Sequence, residues 1–182
     1  MRGYFGLGVE GLSKPMNAGN LFRSAHAFGA SFIFAIGGTY SAAAQASDTS
    51  DAPGHVPFYS FAGVESMRRP TGCKLVGVEL LDEAVDLPCF RHPLRAAYVL
   101  GPERGSLSPG LVARCDHIVK IPTQFCINVA VAGAIVLYDR KISLGRFAAR
   151  PLSPRAEPEP LPLHVHGGPI FRPRSGRTAK GG

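Results

Sequence analysis

Short apolar stretches alternate with helical stretches along the first 144 residues, and this alternation constrains the fold more than any other feature. Runs of strand length lie at residues 4–9, 31–36, 55–59, 74–80, 96–100 and 117–121. Helical spacing of apolar residues occurs at 15–28, 62–69, 108–115 and 126–144. Strands that alternate with helices favour an α/β fold with a mainly parallel sheet flanked by helices.

The first and last helices have the clearest boundaries. Asn17 is a plausible N-cap for the first helix, and Gly29 is suited to end it. The apolar side chains of the last helix share one face: Ile127, Val131, Ile135, Tyr138 and Ile142. We expect Tyr138 to be a core tyrosine with a satisfied hydroxyl.

Composition excludes several classes of protein. Hydrophobic residues make up 45% of the 182-residue chain, which is enough for a folded core. No apolar run approaches the roughly 18 residues of a membrane span, and the N-terminus does not resemble a signal peptide. The four cysteines form no CxxC pair, so neither a metal site nor a disulfide scaffold is expected. A cytoplasmic protein without a membrane segment is the expectation.

The basic charge is concentrated near the C-terminus. The formal net charge is +7, and residues 150–182 contribute six basic and two acidic groups together with seven of the 16 prolines. Such a composition buries too little apolar surface to offset ordering entropy. We expect a folded domain at 1–149 and a disordered basic tail at 150–182, which is either solvated without a role or an arm that contacts phosphates.

The first candidate motif lies on the opening turns of the first helix. It runs from Asn17 to Arg23 (NAGNLFR) and follows a predicted strand. In a parallel sheet, that position is the carboxyl edge of the strands, where ligands bind. By itself the motif is equally compatible with a capping asparagine and a solvated arginine.

Two further motifs follow later strands. Leu100 to Gly105 (LGPERG) joins a buried strand to a glycine-rich turn, and glycines allow the backbone to approach a ligand closely. The stretch from Ile118 to Pro122 (IVKIP) is followed by a helix that opens with Asn128 among small residues. An ordinary turn and a tightly packed core helix are the alternative interpretations.

In this order and spacing, the three motifs resemble those of the SpoU/TrmH-like RNA ribose 2′-O-methyltransferases of the SPOUT superfamily. The resemblance covers about residues 4–145. It implies a sheet with a C-terminal trefoil knot, S-adenosylmethionine as cofactor, a homodimer, and an RNA site between the subunits. A tRNA substrate is favoured over rRNA, because the first motif begins too early in the chain for a separate N-terminal RNA-binding domain.

The resemblance also implies the roles of individual residues. Arg23 matches the family's catalytic arginine, and Asn17, Glu103 and Asn128 match its supporting polar residues. The cofactor would be held by residues of three loops: Leu100, Gly101, Glu103, Gly105, Ile121, Cys126, Ile127 and Val129. Arg23 would act either as the base that family accounts describe or by binding the target phosphate, since a guanidinium is normally always charged.

Three features depart from the family pattern. Cys126 replaces a usual serine, Pro102 replaces a common Asn or Ser, and the link from Pro122 to Asn128 is short. These changes leave a second interpretation open, in which the chain is a catalytically silent RNA-binding protein on the same fold.

Overall fold

A parallel sheet forms the centre of the computed structural model, which describes residues 3–11, 15–38, 52–102 and 105–145. The described strands are β1 (Tyr4–Glu10), β2 (Phe32–Ile36), β3 (Phe58–Phe61), β4 (Lys74–Val78), β5 (Val85–Asp86), β6 (Arg95–Leu100) and β7 (His117–Lys120). They form one sheet in the order β3-β2-β1-β6-β4-β7-β5. Each of the pairings between these strands is parallel, which confirms the predicted sheet type.

Two long helices cover one face of the sheet. The described helices are α1 (Pro15–Phe28), α2 (Ala52–His55), α3 (Pro109–Val112) and α4 (Val129–Leu144). Leu21 and Phe22 of α1 pack in the same buried cluster as Val136 and Leu137 of α4. Gly29 follows α1 with φ of +83°, in the left-handed region that favours glycine, as expected of the residue that ends a helix.

A second buried cluster lies on the other face of the sheet. Its members come from β2, β4, β6, α3 and the segments that flank them, and the largest are Phe34, Met67, Leu75, Leu107 and Leu111. Ser108 caps α3, because its Oγ accepts a hydrogen bond from the Leu111 amide at 3.3 Å. This face of the sheet is covered largely by the short helix α3 and by loops.

The structure corrects several predicted elements. The helix predicted at 62–69 is only a 3₁₀ turn, Val64–Ser66, since Pro70 disfavours helical geometry in the residue before it. The strand predicted at 55–59 lies at Phe58–Phe61, and the helix predicted at 108–115 is limited to Pro109–Val112. Asn17 is not an N-cap, because α1 already begins at Pro15, a residue suited to a first helical position.

The predicted inner face of α4 is the wrong one. Val131 and Tyr138 are each 51% exposed, and Ile135 and Ile142 are also exposed, so Tyr138 is not a core residue. The buried face carries smaller side chains and one arginine: Val129, Ala130, Ala132, Gly133, Val136, Leu137 and Arg140. Apolar size alone selects the larger side chains, whereas the close packing of α4 on α1 requires the small ones.

A buried polar network joins α4 to the amino end of β6. Arg140 is 5% exposed, and its Nη1 donates to the Tyr98 hydroxyl at 3.1 Å and to the Pro93 carbonyl at 2.6 Å. The His92 ring lies 2.6 Å from the Tyr98 hydroxyl and 2.8 Å from a carboxylate oxygen of Asp139. Burial lowers the pKa of His92, and the hydrogen bond to Asp139 only partly opposes this shift.

Some predictions concern residues outside the described ranges. The basic tail at 150–182 lies there, as does Glu103. Within the described ranges, no helix has the length and apolar character needed to cross a membrane.

Candidate functional site

A pocket of about 380 Å³ opens at the carboxyl edge of the sheet, where β4, β6 and β7 end. Its described lining includes most of the residues predicted to hold a cofactor: Leu100, Gly101, Gly105, Ile121, Cys126, Ile127 and Val129. Asn17 and Asn128 also line it. Three loops that are distant in the sequence therefore meet where parallel α/β proteins bind their ligands.

The pocket is lined by apolar side chains and by a similar share of polar groups. Its other described lining residues are Val78, Glu79, Leu80, Pro102, Thr123 and Ala132. Glu79 is the one charged side chain among the described lining residues. This combination of apolar walls, backbone groups and one carboxylate can hold a ligand that has both apolar and polar parts.

Two glutamates hold the loop that follows β6. Glu79 accepts a hydrogen bond from the Leu107 amide at 2.7 Å and from the Leu80 amide at 3.0 Å. Glu10, at the end of β1, accepts one from the Ser108 amide at 2.7 Å and one from the Ser108 hydroxyl at 2.5 Å. Because β6 lies between β1 and β4, the two carboxylates fix consecutive residues of the loop from opposite sides.

Neither glutamate was predicted from the sequence. The sequence contains one indication of where they lie, because each acid comes directly after the apolar run of a strand. Glu10 is the last residue of β1, and Glu79 follows the last residue of β4. In a parallel sheet, such a position is at the same edge as the ligand site. The adjacency of both strands to β6 is a property of the topology, and the sequence pattern does not contain it.

Gly101 leaves room for this arrangement. A Cβ built on Gly101 would lie 3.1 Å from the Leu107 amide nitrogen and 3.3 Å from a carboxylate oxygen of Glu79. A side chain at this position would crowd both the loop and the glutamate that holds it. The glycine of the second motif is therefore explained by packing at the pocket wall.

Asn128 joins the two helices that border the pocket. It is the N-cap of α4, and its Oδ1 accepts hydrogen bonds from the amides of Ala130 at 2.9 Å and Val131 at 3.4 Å. Its Nδ2 donates to Oδ1 of Asn17, on the first turn of α1, at 3.1 Å. Two of the predicted polar residues, 111 positions apart, are thus in direct contact.

Close packing of α1 on α4 makes that contact possible. A Cβ on Gly133 would lie 2.3 Å from the Leu21 Cδ1 atom, so the Leu21 side chain or the helix that carries it would have to move. The small residues of the third motif therefore allow the two helices to approach each other. The positions of Asn17 and Asn128 depend on this approach.

Arg23 lines an open groove beside the pocket. The groove has a volume of about 870 Å³, and its described lining includes Asn20, Arg23 and Tyr138. Asn17 and Asn128 line both the groove and the pocket, so this pair forms the border between them. Arg23 is exposed and is not among the described lining residues of the pocket itself.

Two predicted features remain to be placed. Glu103 lies outside the described residues. Within the described part of the chain, no group of three His, Cys, Asp or Glu side chains is arranged to hold a metal ion. Cys126 is exposed at the pocket.

Comparison with known proteins identifies relatives of this fold. A crystal structure of an rRNA methyltransferase from Sinorhizobium meliloti with bound AdoMet superposes with a TM-score of 0.70, at 22% identity, over 80% of this chain and 59% of that one. The SpoU methyltransferase AviRb from Streptomyces viridochromogenes gives a TM-score of 0.64, at 25% identity, over 76% of this chain and 59% of that one.

A curated relative matches more narrowly. The tRNA (guanosine(18)-2′-O)-methyltransferase TARBP1 of Mus musculus is 27% identical over 138 residues. The match covers 70% of this chain and 9% of that protein, so this chain corresponds to a small part of its relative. The sequence profile of the SpoU rRNA Methylase family matches residues 5–138, which is most of the chain, and the protein therefore belongs to that family.

Proposed function

We propose that the protein is an S-adenosylmethionine-dependent RNA methyltransferase that acts on a ribose 2′-hydroxyl, with tRNA as the substrate rather than rRNA. The observation that carries the proposal is the contact between Asn17 and Asn128, which borders both the pocket and the groove of Arg23. A donor in the pocket and a nucleotide in the groove would meet at this pair. Family membership supports the reaction class, and the resemblance to TARBP1 supports tRNA.

The pocket would hold the cofactor through the loops after β4, β6 and β7. S-adenosylmethionine supplies an electrophilic methyl group when it is bound. Backbone groups at Leu100, Gly101 and Ile121 would contact the ligand, and Glu10 and Glu79 would fix the loop that closes over it. Preordering this loop lowers the entropy that binding would otherwise cost.

Arg23 would hold the reacting nucleotide in line with the donor. A guanidinium stays charged at every accessible pH and binds phosphate through two parallel hydrogen bonds, so phosphate binding is the role its chemistry supports best. Positioning of two reactants can supply a large part of a rate enhancement. The Asn17–Asn128 pair would orient the ribose through its amide groups.

A homodimer completes the proposal. The exposed apolar face of α4, formed by Val131, Ile135, Tyr138 and Ile142, adjoins the groove of Arg23. A second copy packed on this face would cover it and would narrow the groove to a cleft between subunits. We assign residues 1–149 to the methyltransferase domain with a C-terminal trefoil knot, residues 150–182 to a separate basic tail, and the protein to the cytoplasm.

Transfer from labelled S-adenosylmethionine to unmodified tRNA and to rRNA fragments tests the proposal, with 2′-O-methyl nucleosides identified by mass spectrometry. Arg23→Ala and Arg23→Lys are expected to lower the rate of transfer by about 10²- to 10⁴-fold, the usual range for a group acting on proton transfer or positioning. Calorimetry should show unchanged binding of S-adenosylhomocysteine by both variants.

The outcomes separate the alternatives. A wild-type protein that binds RNA but not S-adenosylhomocysteine would be the catalytically silent RNA-binding protein. Loss of cofactor binding in Arg23→Ala would place Arg23 in the cofactor site instead of the nucleotide site. Methylation of rRNA fragments alone would overturn the choice of tRNA.

A further inference from the structure

Aromatic side chains form a floor on the sheet face opposite α1 and α4. The strand register pairs Phe34 with Tyr59 and Ile36 with Phe61, so these side chains project from the same face. The Phe32 ring centroid lies 6.4 Å from that of Tyr59, and the Phe34 centroid lies 6.5 Å from that of Phe61. The members of this aromatic floor are Tyr4, Phe32, Phe34, Tyr59 and Phe61.

Glycines in β1 allow the rings to lie over the neighbouring strand. A Cβ on Gly6 would lie 2.2 Å from the Phe32 ring, and one on Gly8 would lie 2.4 Å from the Phe34 ring. Any other residue at these two positions would displace the rings. The sequence of β1 therefore accommodates an aromatic floor at the cost of two strand positions that pack no side chain of their own.

The floor is only partly covered. The predicted helix at 62–69 is replaced by the turn Val64–Ser66 and an extended segment, which leaves a cavity of about 340 Å³ above the rings. This volume is within the range of about 300–1,000 Å³ found for small-ligand sites. Tyr59 is 52% exposed at the cavity, and Arg68 and Arg69 line its wall.

Arg68 and Arg69 line the cavity, and other cations lie on or beside the same segment of chain. Arg68 donates to the Glu65 carbonyl, Arg114 donates to the Met67 carbonyl, and Arg95 lies over Gly72. Together these contacts and two ion pairs place five cations on the segment from 64 to 74 or beside it: Arg68, Arg69, Lys74, Arg95 and Arg114. Asp116 is the carboxylate in both ion pairs, and Glu65 lies on the same segment, so the patch has a net positive charge.

Asp116 is engaged within this patch. It pairs with Arg69 and, at 2.9 Å, with Lys74, and it accepts a hydrogen bond from the Leu75 amide at 2.8 Å. Partial burial acts to raise the pKa of Asp116, but these hydrogen bonds and charges outweigh it and hold the pKa well below its usual value. No acidic side chain is among the described residues that line the cavity.

We propose that this cavity binds an unstacked base of the RNA substrate, an inference that rests on the function proposed above. Aromatic floors beside cations are how proteins bind single-stranded RNA, since every base has a face that stacks and every nucleotide has a phosphate that pairs with arginine. An acidic partner without rings would use only the cations, and a purely apolar partner would use only the aromatic floor.

The cavity would bind a nucleotide other than the one that is methylated. Ser31, Leu75 and Ala97 line it near the amino ends of β2, β4 and β6, whereas the pocket lies at the carboxyl ends. The cavity and the pocket share none of their described lining residues. The RNA would therefore follow the side of the sheet for a few nucleotides, and this second contact would contribute affinity and substrate choice instead of chemistry.

A fluorescent reporter tests stacking directly. The chain contains no tryptophan, so Tyr59→Trp introduces one emitting side chain at the cavity. Titration with a 12-nucleotide oligouridylate or with unmodified tRNA should quench its fluorescence, and titration with heparin, a polyanion without bases, should not. Equal quenching by heparin, or no quenching by RNA that does bind, would overturn the proposal.

Affinity measurements test the contribution to binding. Tyr59→Ser should weaken tRNA binding by about 5- to 100-fold, the range reported for loss of one base stack. Arg68→Glu should weaken binding and make it less salt-dependent, because at least one phosphate contact is lost. Arg91→Glu is the matched control, because Arg91 is an exposed arginine outside the described lining of the cavity. If Arg91→Glu weakens tRNA binding as much as Arg68→Glu does, the loss of affinity comes from the overall charge of the protein and not from the cavity.

S-adenosylhomocysteine binding should be the same in all these variants. If wild-type protein fails to bind RNA at all, the proposed function fails. If it binds RNA and both cavity variants bind equally well, only the present inference fails. A change in oligomeric state in Tyr59→Ser with unchanged RNA affinity would identify a second copy of the chain as the occupant and would overturn the inference.

Discussion

Single carboxylates at the ends of β1 and β4 determine how the candidate cofactor loop is held. Glu10 and Glu79 accept hydrogen bonds from consecutive amides, of Ser108 and Leu107. Amide donors at such a position would otherwise need water or a ligand as acceptor. At the scale of the residue, the pocket is thus built on polar side chains that do not belong to any of the three motifs.

Glu79→Gln is expected to weaken binding of S-adenosylhomocysteine by about 5- to 50-fold. A glutamine has one acceptor oxygen, and its amide group would face the Leu107 or Leu80 amide donor to donor, which leaves a hydrogen bond unmade at a cost of about 1–3 kcal/mol. Calorimetry measures the effect. Glu83→Gln is the control, because it changes an exposed acid in the segment after β4 that also contains Glu79, and it should bind S-adenosylhomocysteine normally. Equal affinities for wild type, Glu79→Gln and Glu83→Gln would contradict the prediction.

Sequence patterns identified the motif residues better than their partners. The sequence predicted that the last helix opens with Asn128, and in the structure Asn128 is the N-cap of that helix. Asn17 was predicted as a cap for the same chemical reason, but Pro15 starts the helix earlier and frees the Asn17 side chain to meet Asn128. Local preference predicts which residues can cap, whereas a contact across 111 residues follows from the topology.

The helices α1 and α4 act as a pair. Leu21 of α1 packs against Gly133 of α4 in their shared surface, whereas Val131, Ile135, Tyr138 and Ile142 of α4 face outward. The helical period of α4 was predicted correctly from the sequence, but its buried face was not. The spacing of apolar residues shows which side chains share a face, and it does not show which face packs against α1. The segment 62–69 shows the same limit, since its apolar spacing suits a helix while Pro70 opposes one.

Val131→Asp is expected to convert a homodimer into monomers. The substitution places a charge at the centre of the exposed apolar face of α4, where burial against a second copy would be strongly unfavourable. Size-exclusion chromatography with light scattering measures the mass. Leu94→Asp is the control, since Leu94 is also exposed and apolar but lies before β6 at the other edge of the sheet. A wild-type monomer at micromolar concentration would contradict the proposed dimer.

The two edges of the sheet have different chemistry across the whole molecule. The carboxyl edge carries the pocket, and the amino edge carries the network of His92, Tyr98, Asp139 and Arg140. The lowered pKa of His92 favours the neutral ring. With the ring neutral, Nε2 can donate to Asp139 while Nδ1 accepts from the Tyr98 hydroxyl, whose oxygen accepts from Arg140.

Stability should therefore fall when the pH is lowered below about 6.5, the ordinary histidine pKa. Below that value the unfolded chain binds a proton that the folded chain does not take up until the lower folded pKa is reached, so the free energy of unfolding decreases with falling pH over this window. Denaturant titrations at pH 7.5, 6.5 and 5.5 measure the trend.

His92→Gln provides the control for this pH dependence. The variant should be less stable than wild type at pH 7.5, because it loses ring contacts in a buried site, but its stability should change less between pH 7.5 and 5.5. A slope equal to that of wild type would assign the pH dependence to other groups.

The strand order has a consequence for how the chain is made. The central neighbours β1 and β6 pair residue 4 with residue 95, so β1 gains its second partner only after about 90 further residues have been synthesised. Each described pairing is parallel and none closes as a hairpin, and such non-local contacts slow folding. Until β6 is made, one side of the apolar β1 has no strand partner, and unpaired strand edges make partly folded chains prone to aggregation.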